Sequence, residues 1–244
     1  MTHALTKADG AYPLYDLDES SGRITSYIET LRYGLRWEAK KAERKGLAGK
    51  AERKVRELKG ETDPADWDAG AIFRTGGDPK KYVGFDNFET FKDEATEAEK
   101  KCVRHSGDSV RGAGDGDDEQ IDFDLLHIPR RYDSILLVGG AYKLGSDADA
   151  VRDVKATIYD GTGGSFDSVG EFEPSLLGEK RMIAVARLDR EPDPTDPHKT
   201  VWSLSIVNQS YHITPGDFRS LLRGAINASL GLCGAHPSGC APFL

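Results

Sequence analysis

Between Ile121 and Leu126 apolar and acidic side chains alternate, with Ile121, Phe123 and Leu125 on one parity and Asp122 and Asp124 on the other. A period of two is the mark of a strand with one buried face. Apolar runs of strand length recur at Ala69–Phe73, Ser134–Ala141, Val154–Tyr159, Met182–Leu188 and Val201–Val207. Turn-forming clusters punctuate them: Gly76-Gly77-Asp78-Pro79, Asp160-Gly161-Thr162-Gly163-Gly164 and Pro192-Asp193-Pro194-Thr195-Asp196-Pro197. Short strands spaced by such turns predict a mainly β chain and a β-sandwich rather than βαβ units.

Three segments carry helical spacing. Ile24, Tyr27, Ile28 and Leu31, preceded by Asp18-Glu19-Ser20-Ser21, predict a short helix over 24–33. Glu38–Leu58 is rich in Ala, Lys, Glu and Arg, with a narrow stripe of Leu47, Ala51, Val55 and Leu58. Gly46 and Gly49 predict a bend within it. Ile213–Leu230 opens on Thr214-Pro215-Gly216-Asp217 and shows Phe218, Leu221, Leu222, Ala225 and Ile226 on one face. Phe88–Arg104 reads as a charged, partly helical connection. The organisation expected is an N-terminal arm with a short helix (1–31), a β-sandwich body (32–230) carrying a basic helical insertion (38–61), a C-terminal helix, and a loop-like tail (231–244).

Charge changes this picture in one place. The chain of 244 residues has net charge −8, which argues against bulk binding of nucleic acid. Glu38–Lys59 alone holds nine Lys/Arg against four Glu, so an acidic body carries a basic arm. That arm reads as a solvated helix with i,i+4 ion pairs, as a dock for the acidic body of a neighbouring subunit, or as a contact for an anionic surface. Its modest charge and lack of interleaved aromatics weaken the last reading. No apolar run approaches the roughly 20 residues that span a bilayer. Met1–Gly10 lacks the pattern of a secretory leader, so the expectation is a cytoplasmic protein. Cys102, Cys233 and Cys240 form no CxxC pair and read as reduced structural thiols.

The segment with chemistry is Gly107–Glu119. From Asp108 to Asp124 there are seven carboxylates and one cation, Arg111. Two carboxylates about 5 Å apart repel by roughly 3 kcal/mol at an effective dielectric of about 20, so clustering them costs stability unless a cation joins them. Gly107, Gly112, Gly114 and Gly116 let the backbone turn sharply and aim several oxygens at one point. Calcium takes six to eight oxygen ligands in flexible geometry, whereas magnesium keeps more of its waters. Asp108, Asp115, Asp117, Asp118 and Glu119 are the candidate ligands, and a solvated, unliganded acidic loop is the competing reading. The EF-hand template fails, because its ligand positions would fall on Val110 and Gly112 and its glycine on Ala113. His105 and His127 flank the loop with no cysteine partner for zinc. There is no Gly-x-Ser-x-Gly elbow and no P-loop, so no catalytic residue is assigned and the chain is expected not to be an enzyme.

Gly107-Asp108, then Arg111-Gly112-Ala113-Gly114-Asp115-Gly116-Asp117-Asp118-Glu119-Gln120-Ile121, Asp124-Leu125 and Ile128-Pro129, resemble the hallmark of the TerD family of tellurium-resistance and stress-response proteins. Asp66-Trp67-Asp68-Ala69-Gly70-Ala71-Ile72-Phe73 is similar to that family's Asp-Leu-Asp-Ala-Ser-Ala-Phe, and Tyr33-Gly34-Leu35-Arg36-Trp37-Glu38 to its Gly-Leu-Gly-Trp-Asp. The resemblance spans roughly Arg32 to Leu230. It implies a two-sheet β-sandwich with one or two Ca2+ ions at one end. It adds Asp66 and Asp68 to the ligand set, two residues apart and so on one face of a strand. The chain departs from the pattern at Glu38–Glu61, which lies between segments that family members keep close, and at Ser109-Val110-Arg111. The function this implies is a calcium-binding stress-response protein in which Ca2+ orders the acidic loop and a docking or assembly surface. The alternative is a self-assembling structural subunit (filament, capsid or other large complex), with contacts through the basic insertion and the termini and calcium secondary.

Overall fold

The computed structural model describes residues 3–4, 10–39, 54–55, 66–84, 87, 91–108, 116–141, 150–174 and 181–212. Two six-stranded sheets make up most of them. Sheet A contains β1 (His3–Ala4), β5 (Thr30–Ala39), β8 (Val103–His105), β9 (Glu119–Asp124), β11 (Val151–Asp160) and β12 (Asp167–Phe172), in the order β1-β12-β11-β5-β9-β8. Sheet B contains β2 (Ala11–Pro13), β6 (Asp68–Thr75), β7 (Asp78–Val83), β10 (Ser134–Gly140), β13 (Met182–Pro192) and β14 (Thr200–Tyr211), in the order β2-β14-β13-β10-β6-β7. All neighbours are antiparallel except β1 and β12. A hairpin of β3 (Tyr15–Leu17) and β4 (Ile24–Tyr27) stands apart from both sheets.

Alternation in the strands builds the sandwich core. Leu31, Tyr33, Leu35 and Trp37 of β5, with Ile121 and Phe123 of β9, turn inward from sheet A. Ala69, Ala71 and Phe73 of β6, with Ile135 and Leu137 of β10, meet them from sheet B. Each large side chain buried this way contributes about 1.5–3 kcal/mol. Phe73 stacks edge-on against Phe91 and Tyr132 at 4.8 and 5.5 Å, and the Tyr33 hydroxyl crosses the core to donate to the Val138 carbonyl at 3.2 Å. The opposite face of sheet B is buried as well: Ile72, Tyr82, Leu136, Val138, Met182, Ala184, Val207 and Tyr211 form a second apolar cluster. Burial on both faces explains why β10 is a continuous apolar run, Ser134–Gly140, rather than an alternating one. Trp37, Trp67 and Trp202 are core residues, 1%, 2% and 6% exposed.

The segment over 24–33 is not a helix. It forms β4 and the start of β5. Its spacing fits both periods, but Ile24, Thr25, Tyr27, Ile28, Thr30 and Tyr33 are β-branched or aromatic and pack best on a pleated surface. From Leu31 the alternation continues to Trp37 without a break. The expected arm is likewise drawn into the sheets, since β2 pairs with β14 and β1 with β12. Glu38 and Ala39 belong to β5, opposite Arg152 and Val151, and not to the basic helical segment. Of that segment beyond Ala39, only Lys54 and Val55 are described, both helical and exposed. The expected helix over 213–230 and the tail 231–244 lie outside the described residues. The connection 88–104 holds one short helix, α1 (Glu97–Lys100), closed by a capping box between Thr96 and Glu99. Among the described residues no helix is long and apolar enough to cross a membrane.

Candidate metal centre

Two of the expected ligands, Asp66 and Asp68, lie just before and at the start of β6. Ala69, Ala71 and Phe73 point into the inter-sheet core, so Asp68, Gly70 and Ile72 take the other face. Gly70 confirms the parity, because a Cβ there would meet Tyr82 and Val138 of the outer cluster. Asp66 precedes Asp68 by two residues. Both are fully buried, at 0% exposure. A third expected ligand lies in the loop that leaves sheet A after β8. After β8 the chain turns at Gly107, whose φ of +108° suits glycine, and presents Asp108 at the surface. Asp66, Asp68 and Asp108 each offer an oxygen lying within 4.8 Å of the others. That span is no wider than a calcium shell, whose ligands lie about 2.3–2.6 Å from the ion. At such distances ionised carboxylates repel by about 3 kcal/mol per pair at an effective dielectric of about 20, and a divalent cation at their centre reverses the sign.

Behind this group two buried side chains join the sheets. β7 pairs with β6 only from Ala71 onward, so among the described residues no strand lies beside Ala69 on the β7 side of β6. Side chains from sheet A take that place. Glu119, the first residue of β9, accepts the Ala69 N–H through Oε2 at 2.7 Å. His105, the last of β8, sets Nε2 3.4 Å from the Ala69 carbonyl and 3.6 Å from Glu119 Oε2. The Gly107 N–H donates to His105 Nδ1 at 3.1 Å. Nδ1 therefore carries no proton, and the proton of a neutral ring sits on Nε2, facing Ala69 and Glu119.

The next two acids serve β5. The Asp118 N–H donates to the Leu35 carbonyl, and Asp118 Oδ2 accepts the Trp37 N–H at 2.9 Å. Asp117 lies flat on Gly34, where an added Cβ would stand 2.0 Å from its Oδ2. Burial raises the Asp117 carboxyl above the usual range, and the hydroxyl of Tyr159 and the charge of Arg32 draw it part of the way back. Burial, reinforced by the bond to Asp117, pushes Tyr159 up to about 12. Of the seven acids proposed from sequence, then, Asp66, Asp68 and Asp108 converge. Glu119 lies next to them through Ala69, while Asp117 and Asp118 turn to β5. Asp115 lies outside the described residues. Sequence reasoning gave His105 no role, although its position three residues before Asp108 was the available signal. Tyr159 carried no signal at all, being brought to Asp117 only by the β5–β11 pairing.

Comparison with known proteins agrees with this architecture. The chain is 28% identical over 171 residues to the tellurium resistance protein TerZ of Serratia marcescens, covering 70% of this chain and 78% of that one. Among solved structures it resembles SAV2460, a protein of unknown function, at a TM-score of 0.54 and 16% identity, over 81% of this chain and 98% of the other. A homologue of telluride resistance protein TerD, SCO6318 from Streptomyces coelicolor A3(2), superposes at a TM-score of 0.50 and 13% identity, over 77% and 92% of the two chains. Those likenesses concern the fold. Residues 20–213 match the family model of the TerD domain, and the chain belongs to the TerD family.

Proposed function

We propose that Asp66, Asp68 and Asp108 hold a calcium ion and that the protein is a non-catalytic, calcium-dependent stress-response module, akin to relatives named for tellurium resistance. The observation that carries this reading is the convergence of three carboxylates, two of them fully buried, from the start of β6 in sheet B and from the loop that follows β8 of sheet A. The buried pair supplies rigid charge, and exposed Asp108 leaves a side for water or a further ligand, which suits the large, flexible shell of calcium better than the strict octahedron of magnesium. The ion would fix Asp108, the first acid of the Gly107–Glu119 stretch, against sheet B and so order one end of that stretch as a docking surface. A ligand at about 1,000 times its Kd stabilises the folded state by roughly 4 kcal/mol, enough to make that surface conditional on calcium. The test is calorimetric titration of calcium into metal-stripped protein and into the Asp66→Asn/Asp68→Asn variant. Saturable binding that the variant loses is expected, and its stoichiometry counts the ions. A wild-type protein that gives no heat and no calcium-dependent rise in Tm would overturn the reading.

A further inference from the structure

The His105 ring lies between the two backbone segments that carry the proposed ligands. Its Nδ1 accepts the N–H of Gly107, one residue before Asp108, at 3.1 Å. Its Nε2 faces the carbonyl of Ala69, one residue after Asp68, at 3.4 Å. The side chain is 0% exposed and is backed by the Glu119 carboxylate, which itself holds the Ala69 N–H. A flat, rigid ring with a contact at each end fixes the spacing between the Asp108 turn and the start of β6. β10 pairs with the start of β6 on one side; on the other, among the described residues, β7 pairs only from Ala71, and the ring stands beside Ala69. We infer that His105 is the positioning residue of the metal centre: it sets the distance between Asp108 and the Asp66/Asp68 pair, and thereby the calcium affinity, without touching the ion. This rests on the calcium reading above. Groups that orient metal ligands in this way typically change affinity by about 10–100-fold when replaced.

Two replacements separate the ends of the ring. In His105→Asn the side-chain oxygen can stand where Nδ1 stood and accept the Gly107 N–H. In His105→Gln the polar end lies nearer the Nε2 position, and the Gly107 bond is lost. Calcium titration into metal-stripped wild type, His105→Asn and His105→Gln is expected to give a Kd about 10–100-fold weaker for Gln, with Asn closer to wild type. The calcium-free Tm of each variant reads the cost of the change to the fold, whereas Kd, referred to the folded protein, reads the spacing of the ligands. Equal Kd for all three proteins would overturn the inference while leaving the calcium site standing. Wild type that binds no calcium would instead sink the reading on which it rests. A second measurement does not depend on variants folding. A long-range 1H–15N spectrum of the wild-type histidines should show His105 with its proton on Nε2 and resonances that move as calcium saturates. A proton on Nδ1, or resonances indifferent to calcium, would overturn the assignment.

Discussion

Two regions of this sandwich bury carboxylates and handle them in opposite ways. Glu94, whose side chain is 3% exposed, faces the ammonium of Lys81 at 2.7 Å and also binds the guanidinium of Arg131. Burial alone would raise its pKa, but those two cations outweigh burial and hold the carboxyl below its ordinary value. Here the chain supplies the compensating charge, and the cluster serves to tie the 91–96 turn to β7 and to the 126–133 connection. At the other region Asp66, Asp68 and Asp108 converge on one another. Around Glu94 the described groups are two cations, whereas Asp66, Asp68 and Asp108 bring three carboxylates within 4.8 Å of one another, and the calcium proposed above would answer that second arrangement.

Substitutions that neutralise an acid should therefore change stability with opposite sign in the two regions. The largest effect is expected at the corner. In metal-free protein Asp68→Asn removes like-charge repulsion, so Tm should rise or hold. With calcium at about 1,000 times the wild-type Kd, the variant should forgo a stabilisation of roughly 4 kcal/mol. Thermal melts with and without chelator read both numbers, and a lower Tm in both conditions would erase the contrast. A smaller effect follows at Glu94. Glu94→Gln takes the carboxylate away from Lys81 and Arg131 and should cost about 1.5–3 kcal/mol at neutral pH, the range of hydrogen bonds to charged groups. The pH dependence has a definite sign. Because the folded carboxyl titrates below its ordinary value of 4.5, its stabilisation is complete above that value and is lost as pH falls through the folded pKa. Urea unfolding of the variant should accordingly show a shallower acid limb below about pH 4.5, and parallel limbs would refute the assignment. The smallest effect belongs to Arg131→Gln. The Arg131 side chain is 53% exposed, against 21% for Lys81, so solvent screens it and the loss should stay under about 1 kcal/mol. A larger loss would mean that Arg131, rather than Lys81, holds Glu94 in place.

The sequence alone carried a good deal of this. Period-two alternation located β9, the apolar runs located β6, β10, β11, β13 and β14, and the turns between them gave a sandwich, because burial of one strand face is written directly into residue order. Charge density singled out the Gly107–Glu119 stretch for the same reason, as repulsion among neighbours in sequence needs no fold to be recognised. Asp66 and Asp68 were legible as a pair on one face, but only resemblance linked them to Asp108. Elsewhere local pattern was ambiguous or silent. Ile24–Tyr33 satisfied helical and strand spacing at once, and partners decided it: Leu31, Tyr33 and Leu35 gained neighbours on both β9 and β11 as a strand. Strands as short as β8 and as polar as β12 have too few apolar positions to show a period. What Asp117, Asp118 and Glu119 each do was decided by tertiary structure. Leading into β9, the three consecutive acids take separate partners, Asp117 against Gly34, Asp118 on the Trp37 N–H and Glu119 on the Ala69 N–H, while Asp115 lies outside the described residues. The role of His105 was decided in the same way. It depends on β7 stopping short of Ala69, a fact about which strands end where, and no window of sequence contains both ends of that contact.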